Sequence, residues 1–190
     1  MITNQISQNR RTMTKTEANI IYTIGHSTCS MADFIHILQD RGIRHVADIR
    51  RFPASRRHPQ FNKEALAAAL KSASIAYTHL EGLGGRRRAK ADSPNTLWRN
   101  ESFRGFADYM ETVAFAEAAA TLEELARRRP LVFMCAEALW WRCHRALISD
   151  YLKAGGWQVV HIATNGKESE HPYTQAARVA DGRVFYFEPL

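Results

Sequence analysis

From Ile20 onward the sequence alternates between short apolar, β-branched runs and stretches of helical period. That alternation restricts the fold more than any other feature. Ile20–Ile24 is the first strand candidate and ends at Gly25-His26-Ser27. Ser30 then precedes Met31-Ala32-Asp33, close to a capping box, and Phe34, Ile37, Leu38 and Arg41 follow at helical spacing up to Gly42, a suitable C′ residue. His45–Ile49 reads as the second strand. Asn62 can cap a helix carrying Leu66, Ala69, Leu70 and Ala73, and Ile75–Leu80 reads as the third strand. About twenty residues up to Ser102 then show no pattern, and a loop of that length is functional or disordered. Helical spacing resumes at Phe103 and runs, with a break allowed, to Arg129, where Pro130 stops it. Leu131–Met134 is the fourth strand. A helix is expected from Leu139 or Trp140 to Ala154, closed by Gly155-Gly156, followed by a fifth strand over Gln158–Ala163. Asp181-Gly182 marks a hairpin leading into Val184–Phe187.

This order predicts an α/β fold of three layers: a mostly parallel five-stranded sheet with helices on both faces, Rossmann-like or flavodoxin-like. The C-terminal β-hairpin is an addition, expected as an antiparallel edge. At 190 residues the chain suits a single α/β domain over 20–190, preceded by a polar, disordered tail over 1–19. Strand order does not follow from the pattern.

In a parallel sheet all strand C-termini lie on one edge, where ligands bind. That edge receives His26 and Ser27 from strand one, Asp48 and Arg50 from strand two, His79 and Glu81 from strand three, and Cys135 and Glu137 from strand four. The loops leaving strands two and three, 50–61 and 82–99, hold nine arginines and lysines against one acid, Asp92, so the rest of a chain of net charge +7 is close to neutral. Two such runs brought together attract polyanions. Several of these residues also have plain structural uses. Asp48 with Arg50 suits an ion pair, His26 a turn capped on a backbone carbonyl, Gly84-Gly85 a tight turn, and Cys135 and Cys143 packing positions.

The stretch LVFMCAEALWWRCHRA, 131–146, concentrates two thiols, a carboxylate, an imidazole and a guanidinium. Its Cys-x₇-Cys spacing is poor for zinc, and on a helix Cys143 and His144 would point about 100° apart, so no metal ligand is assigned and no cofactor is required. Arg145 and the helix N-terminus instead suit a phosphate or carboxylate. His26, Asp48, Glu137 and Cys135 are the catalytic candidates. Ser27, Arg50, Ser55, Arg56, Gly84, Gly85, Arg86, Cys143, His144 and Arg145 are the ligand-binding candidates. The sparse, odd set of cysteines and the absence of a secretory or membrane-spanning pattern predict a cytoplasmic protein with free thiols and no membrane partner.

Five stretches together resemble an uncharacterised bacterial family, domain of unknown function 488: Thr23-Ile24-Gly25-His26-Ser27, Asp48-Ile49-Arg50 with Pro53, Ser55 and Arg56, Leu83-Gly84-Gly85-Arg86, Cys135-Ala136-Glu137, and Cys143-His144-Arg145. The resemblance spans roughly residues 20–165 and implies a small cytoplasmic α/β protein, without supplying an activity. The residues themselves suggest an enzyme acting on a phosphate-bearing substrate, a nucleotide or nucleic acid. The alternatives are a non-catalytic nucleic-acid-binding module and a thiol- or metal-dependent regulator.

Overall fold

The computed structural model describes residues 19–188. Apart from Asn19, the polar N-terminal stretch lies outside the described residues. The elements are β1 (Ile20–Gly25), α1 (Met31–Gln39), β2 (His45–Asp48), α2 (Lys63–Ser72), β3 (Ala76–His79), α3 (Glu101–Met110), α4 (Val113–Arg128), β4 (Leu131–Cys135), α5 (Arg145–Ala154), β5 (Gln158–Ile162), β6 (Glu168–Glu170), β7 (Arg178–Ala180) and β8 (Arg183–Phe185). Single 3₁₀ turns lie at Pro59–Phe61, Glu81–Leu83 and Trp140–Arg142.

The main sheet has the order β3-β2-β4-β1-β5-β6, with β1–β5 parallel and β6 antiparallel to β5. This differs from both the Rossmann and the flavodoxin orders. The antiparallel edge is also not the expected one. It comes from Glu168–Glu170, a fully polar, exposed strand with no apolar alternation to announce it. The C-terminal hairpin, β7–β8, forms its own two-stranded sheet around Asp181-Gly182, both at positive φ.

From β1 to β2 to β3 the chain steps toward one edge of the sheet. From β3 to β4 to β5 it steps back. Right-handed crossovers therefore send the helices of the two halves to opposite faces. The two cores agree. Phe34, Leu38, Leu66 and Leu70 of α1 and α2 pack with Ile24, Val46, Val132 and Met134 on one face. Phe106, Phe115, Leu122 and Leu147 of α3, α4 and α5 pack with Ile21, Ala47, Leu131 and Phe133 on the other. β4 feeds both cores alternately, which is why it reads as an unbroken apolar run.

The same alternation sorts the residues beyond the strand ends. Asp48 follows Val46 by two and falls on the α1–α2 face; Cys135 follows Phe133 by two and falls on the α5 face. Neighbouring strands β1 and β4 send their loops to opposite faces, which opens a crevice between them.

Local signals explain several boundaries. The Ser30 hydroxyl accepts the Asp33 N–H, as a cap should, and Gly42 closes α1 at φ +61°. Asn62 stands at the N-cap of α2, but its carbonyl oxygen accepts the Ser55 N–H at 2.6 Å instead of capping. The long loop before α3 is ordered. The buried Asp108 carboxylate accepts the Lys90 N–H at 2.8 Å and the Asn95 amide at 2.9 Å, and Tyr109 donates to the Gly82 carbonyl at 2.7 Å.

The largest difference from the sequence reading is at α5. A helix from Leu139 or Trp140 is not formed. Trp140–Arg142 make one 3₁₀ turn, Cys143 is extended (φ −128°, ψ 150°), and the α-helix starts at Arg145. The Trp140 ring stacks on His161 of β5, centroids 4.4 Å apart and nearly parallel, and this tertiary contact accompanies the departure of the segment from the helical path.

Gly25 marks the tightest point of the crevice. A Cβ there would overlap the Glu137 carbonyl oxygen and stand 2.9 Å from Arg145 Nη2. Neither backbone can yield without opening the β1–β4 ladder. Gly25→Ala is therefore expected to cost about 3 kcal/mol or more, measured by denaturant unfolding, with the near-ultraviolet signature of the crevice altered.

Candidate functional site

The loops after β1, β2, β3 and β4 enclose a cleft of about 440 Å³ at the carboxyl edge of the sheet, within the size range of small-molecule sites. His26, Ser27, Arg50, Ser55, Gly85, Arg86, Cys135, Glu137 and His144 line it, together with Arg51 and His58, which the sequence reading had not singled out. Asp48, Cys143 and the exposed Arg56 are not among the lining residues.

Two buried arginines organise the cleft. Arg50, 6% exposed, donates through Nε to Asp48 Oδ1 (2.9 Å) and through Nη2 to Asp48 Oδ2 (2.6 Å) and the Phe61 carbonyl (2.8 Å). Its Nη1 reaches His26 Nε2 at 3.3 Å. Four of five guanidinium hydrogens are thus used, and one remains for a ligand. Asp48 is fully enclosed, and its Oδ2 also accepts the Tyr77 hydroxyl at 2.9 Å. Desolvation and this carboxylate push the Tyr77 pKa up. The carboxylate has no free lone pair facing the cleft. Its work here is to hold Arg50.

His26 stacks on Phe61, centroids 4.0 Å apart. Its Nδ1 faces only the Ser27 carbonyl (3.0 Å), so Nδ1 carries the proton and Nε2 accepts from Arg50. Burial, reinforced by the Arg50 charge, lowers its pKa to about 4. His26 is thus a neutral brace for Arg50 near neutral pH. The Ser55 hydroxyl accepts the His58 N–H at 3.0 Å and keeps its own O–H to donate. Glu137 is exposed at the rim, where Oε1 accepts the Leu139 N–H at 3.2 Å.

The two basic loops meet through Arg51, whose Nη1 donates to the Arg86 carbonyl at 2.9 Å. A Cβ on Gly84 would stand 2.7 Å from Arg51 Cβ, and one on Gly85 would stand 2.9 Å from His144 Nδ1. These glycines give space, not the positive φ of a tight turn, which falls instead on Arg86 (φ 59°). Arg87 turns away, its guanidinium 3.7 Å from the Tyr109 ring centroid. Arg50, Arg51 and Arg86 are therefore the basic side chains of the cleft.

Arg145, 1% exposed, has no carboxylate in ion-pair reach among the described residues. Its Nη1 donates to Thr23 Oγ1 (3.0 Å), and Nη2 to the carbonyls of Glu137 (2.5 Å) and Ala138 (3.2 Å). It fixes the β4 loop on β1 and does not line the cleft. Beside it, Cys135, Cys143 and His144 bring two Sγ atoms and a ring nitrogen within 4.8 Å of one another, His144 Nδ1 standing 3.5 Å from Cys143 Sγ. The Cys135 thiol donates toward Cys143, which, with the Arg145 charge, lowers the Cys143 pKa to about 6 and raises that of Cys135. The expected 100° divergence of Cys143 and His144 does not arise, because neither residue lies on the helix.

Three buried residues escaped the sequence reading. Asp150 Oδ1 accepts from His171 Nε2 (2.9 Å), and His171 Nδ1 accepts from His161 Nε2 (2.8 Å). Burial, the His171 ring and the Arg145 charge keep His161 neutral. The chain ends at His161: its Nδ1 is buried without a partner, as is Arg145 Nε. Asp150 had one signal, an acid inside the apolar pattern of α5. His171, between two short exposed segments, had none.

Fold and site together define an α/β protein with a basic, thiol-floored cleft at the carboxyl edge of a sheet that changes direction. Residues 30–152, more than half of the chain, match the family described as Domain of unknown function DUF488, and the protein belongs to that family. No curated protein and no solved structure matches the chain. Among the described residues no helix is long and apolar enough to cross a membrane.

The pH dependence of stability follows from His26. Its folded pKa lies below the unfolded value, so the unfolded chain takes up the proton first and acid favours unfolding. Its contribution is intact above pH 6.5 and lost as pH falls toward about 4, amounting to about 3 kcal/mol. Denaturant midpoints measured across that window should fall more steeply for the native protein than for His26→Gln.

Proposed function

We propose that the protein is an enzyme acting on a phosphate-bearing substrate, a nucleotide or nucleic acid, bound in the cleft at the carboxyl edge of the sheet. The observation that carries this reading is the convergence of Arg50, Arg51 and Arg86 on one cleft whose floor holds the partly exposed Cys135 thiol. The spare Arg50 hydrogen and the two outer arginines meet phosphate oxygens. Asp48 and His26 hold Arg50 in place and move no proton. Glu137, at the rim with one carboxylate oxygen uncommitted, takes the acid–base role, and the thiol cluster is the reactive centre. An unpaired, odd set of cysteines fits work in the cytoplasm.

A second reading, non-catalytic binding of nucleic acid, draws support from Phe52. It is 60% exposed at the cleft and lies under the Arg51 guanidinium at 5.5 Å, a surface on which a base can stack.

The two readings separate by experiment. Titration with nucleotides and short oligonucleotides should show salt-dependent binding. Arg51→Gln and Arg86→Gln should each weaken it and reduce the salt slope by about one. On a substrate found by that screen, Glu137→Gln should bind equally or more tightly and lose about 10²–10⁴ in turnover. Unchanged turnover in Glu137→Gln and in Cys135→Ser would remove both groups from the mechanism, and ligands that bind but are never turned over would favour the binding module. Binding indifferent to salt and to both arginines would overturn the phosphate reading itself.

A further inference from the structure

We propose that Cys135, Cys143 and His144 form a binding site for a divalent ion of the zinc class, held by two thiolates and one imidazole, with its fourth position open to the cleft. The proposal shares the location of the site in the preceding reading but does not need a phosphate substrate.

Geometry carries it. Cys143 Sγ and His144 Nδ1 are 3.5 Å apart. Two donors on one tetrahedral zinc, with bonds of about 2.3 Å to sulfur and 2.0–2.1 Å to nitrogen, stand about 3.6 Å apart. The 4.8 Å limit that encloses all three donor atoms also accommodates the separation of about 3.8 Å expected between two zinc-bound sulfurs. Little movement is needed to place an ion among them. Sequence spacing argues against such a site only while Cys143 and His144 share a helix. They occupy instead the extended residue and the cap before it, from which both side chains turn toward the end of β4.

The surroundings suit ligation. His144 Nε2 is buried without a hydrogen-bond partner among the described residues, and Nδ1 is the ring nitrogen that faces Cys143. Gly85, with no side chain, lets the imidazole lie against the loop after β3 with Nδ1 uncovered. The donor set of two sulfurs and one nitrogen selects a borderline or soft ion over magnesium or calcium. Two thiolates neutralise a divalent charge. Cys135 and His144 line the cleft and Cys143 lies beneath it, so the ion sits on the cleft floor. Three protein ligands and one open position is the arrangement of zinc sites that accept water or a substrate oxygen.

The test uses the full chain, purified under reducing conditions without chelator. Elemental analysis should give about one zinc per chain. Cobalt added to the metal-free protein should produce the visible d–d bands and the thiolate-to-cobalt charge-transfer band of a tetrahedral site. Cys143→Ser and Cys135→Ser should lose the charge-transfer intensity and the stoichiometric zinc, while Cys29→Ser, on the α1 face, retains both. Because a variant at this buried position can fail to fold, the cobalt spectrum of the unmutated protein decides by itself. A folded, reduced protein whose thiols react freely, which holds well under one equivalent and gives no charge-transfer band, overturns the proposal. A Cys135–Cys143 disulfide in protein never exposed to oxidant overturns it as well. Metal content and nucleotide binding are read separately: zinc without nucleotide binding sinks the function proposed above and keeps the metal site, and the reverse result does the opposite.

Discussion

The carboxyl edge of this sheet is held together by a guanidinium buried at its centre. Arg145 ties Thr23 of β1 to the carbonyls of Glu137 and Ala138 beyond β4, and the approach is close enough that residue 25 carries no Cβ. Removing that cross-link would leave two carbonyls and a hydroxyl without their donor and free the loop that forms one wall of the cleft.

The two buried arginines solve the same electrostatic problem differently. Arg50 has a carboxylate at bidentate range, so its charge is balanced on the spot and its remaining hydrogen faces the cleft. Arg145 is surrounded by neutral oxygens. No carboxylate stands within ion-pair reach of it among the described residues, and its charge helps to lower the Cys143 pKa. A cation so placed keeps negative charge on the sulfur side of the cleft floor, while Arg50, Arg51 and Arg86 keep the mouth positive. The cleft arginines come from the loops after β2 and β3, and the thiols from β4 and the segment after it.

That allotment originates in the path of the chain. The crossovers reverse direction after β3, the loops of β1 and β2 leave toward one face and those of β3 and β4 toward the other, and the cleft is the gap between the two sets. Period-two alternation then gives Asp48 and Arg50 to one wall and Cys135 to the other.

The amino-acid sequence by itself determined the elements whose signals are local. The five parallel strands, the Ser30 cap, the Gly42 stop and the Asp181-Gly182 turn depend on side-chain period, hydroxyl capping and positive φ within a few residues. Strand direction is equally local in origin, since helical crossovers impose it, and so the chain alone brings His26, Arg50, Cys135 and Glu137 to one edge. What each group does there was decided only by tertiary structure. Asp48 and His26 are consumed in bracing Arg50, because the partners that saturate them, Tyr77 and Phe61, come from other segments. α5 begins at Arg145 where residue spacing alone extends it back to Leu139, and Trp140 stacks instead on a strand twenty residues later. The thiol–imidazole cluster and the Asp150–His171–His161 chain exist for the same reason. Their geometry depends on close packing between segments distant in sequence, and no periodicity within a segment encodes it.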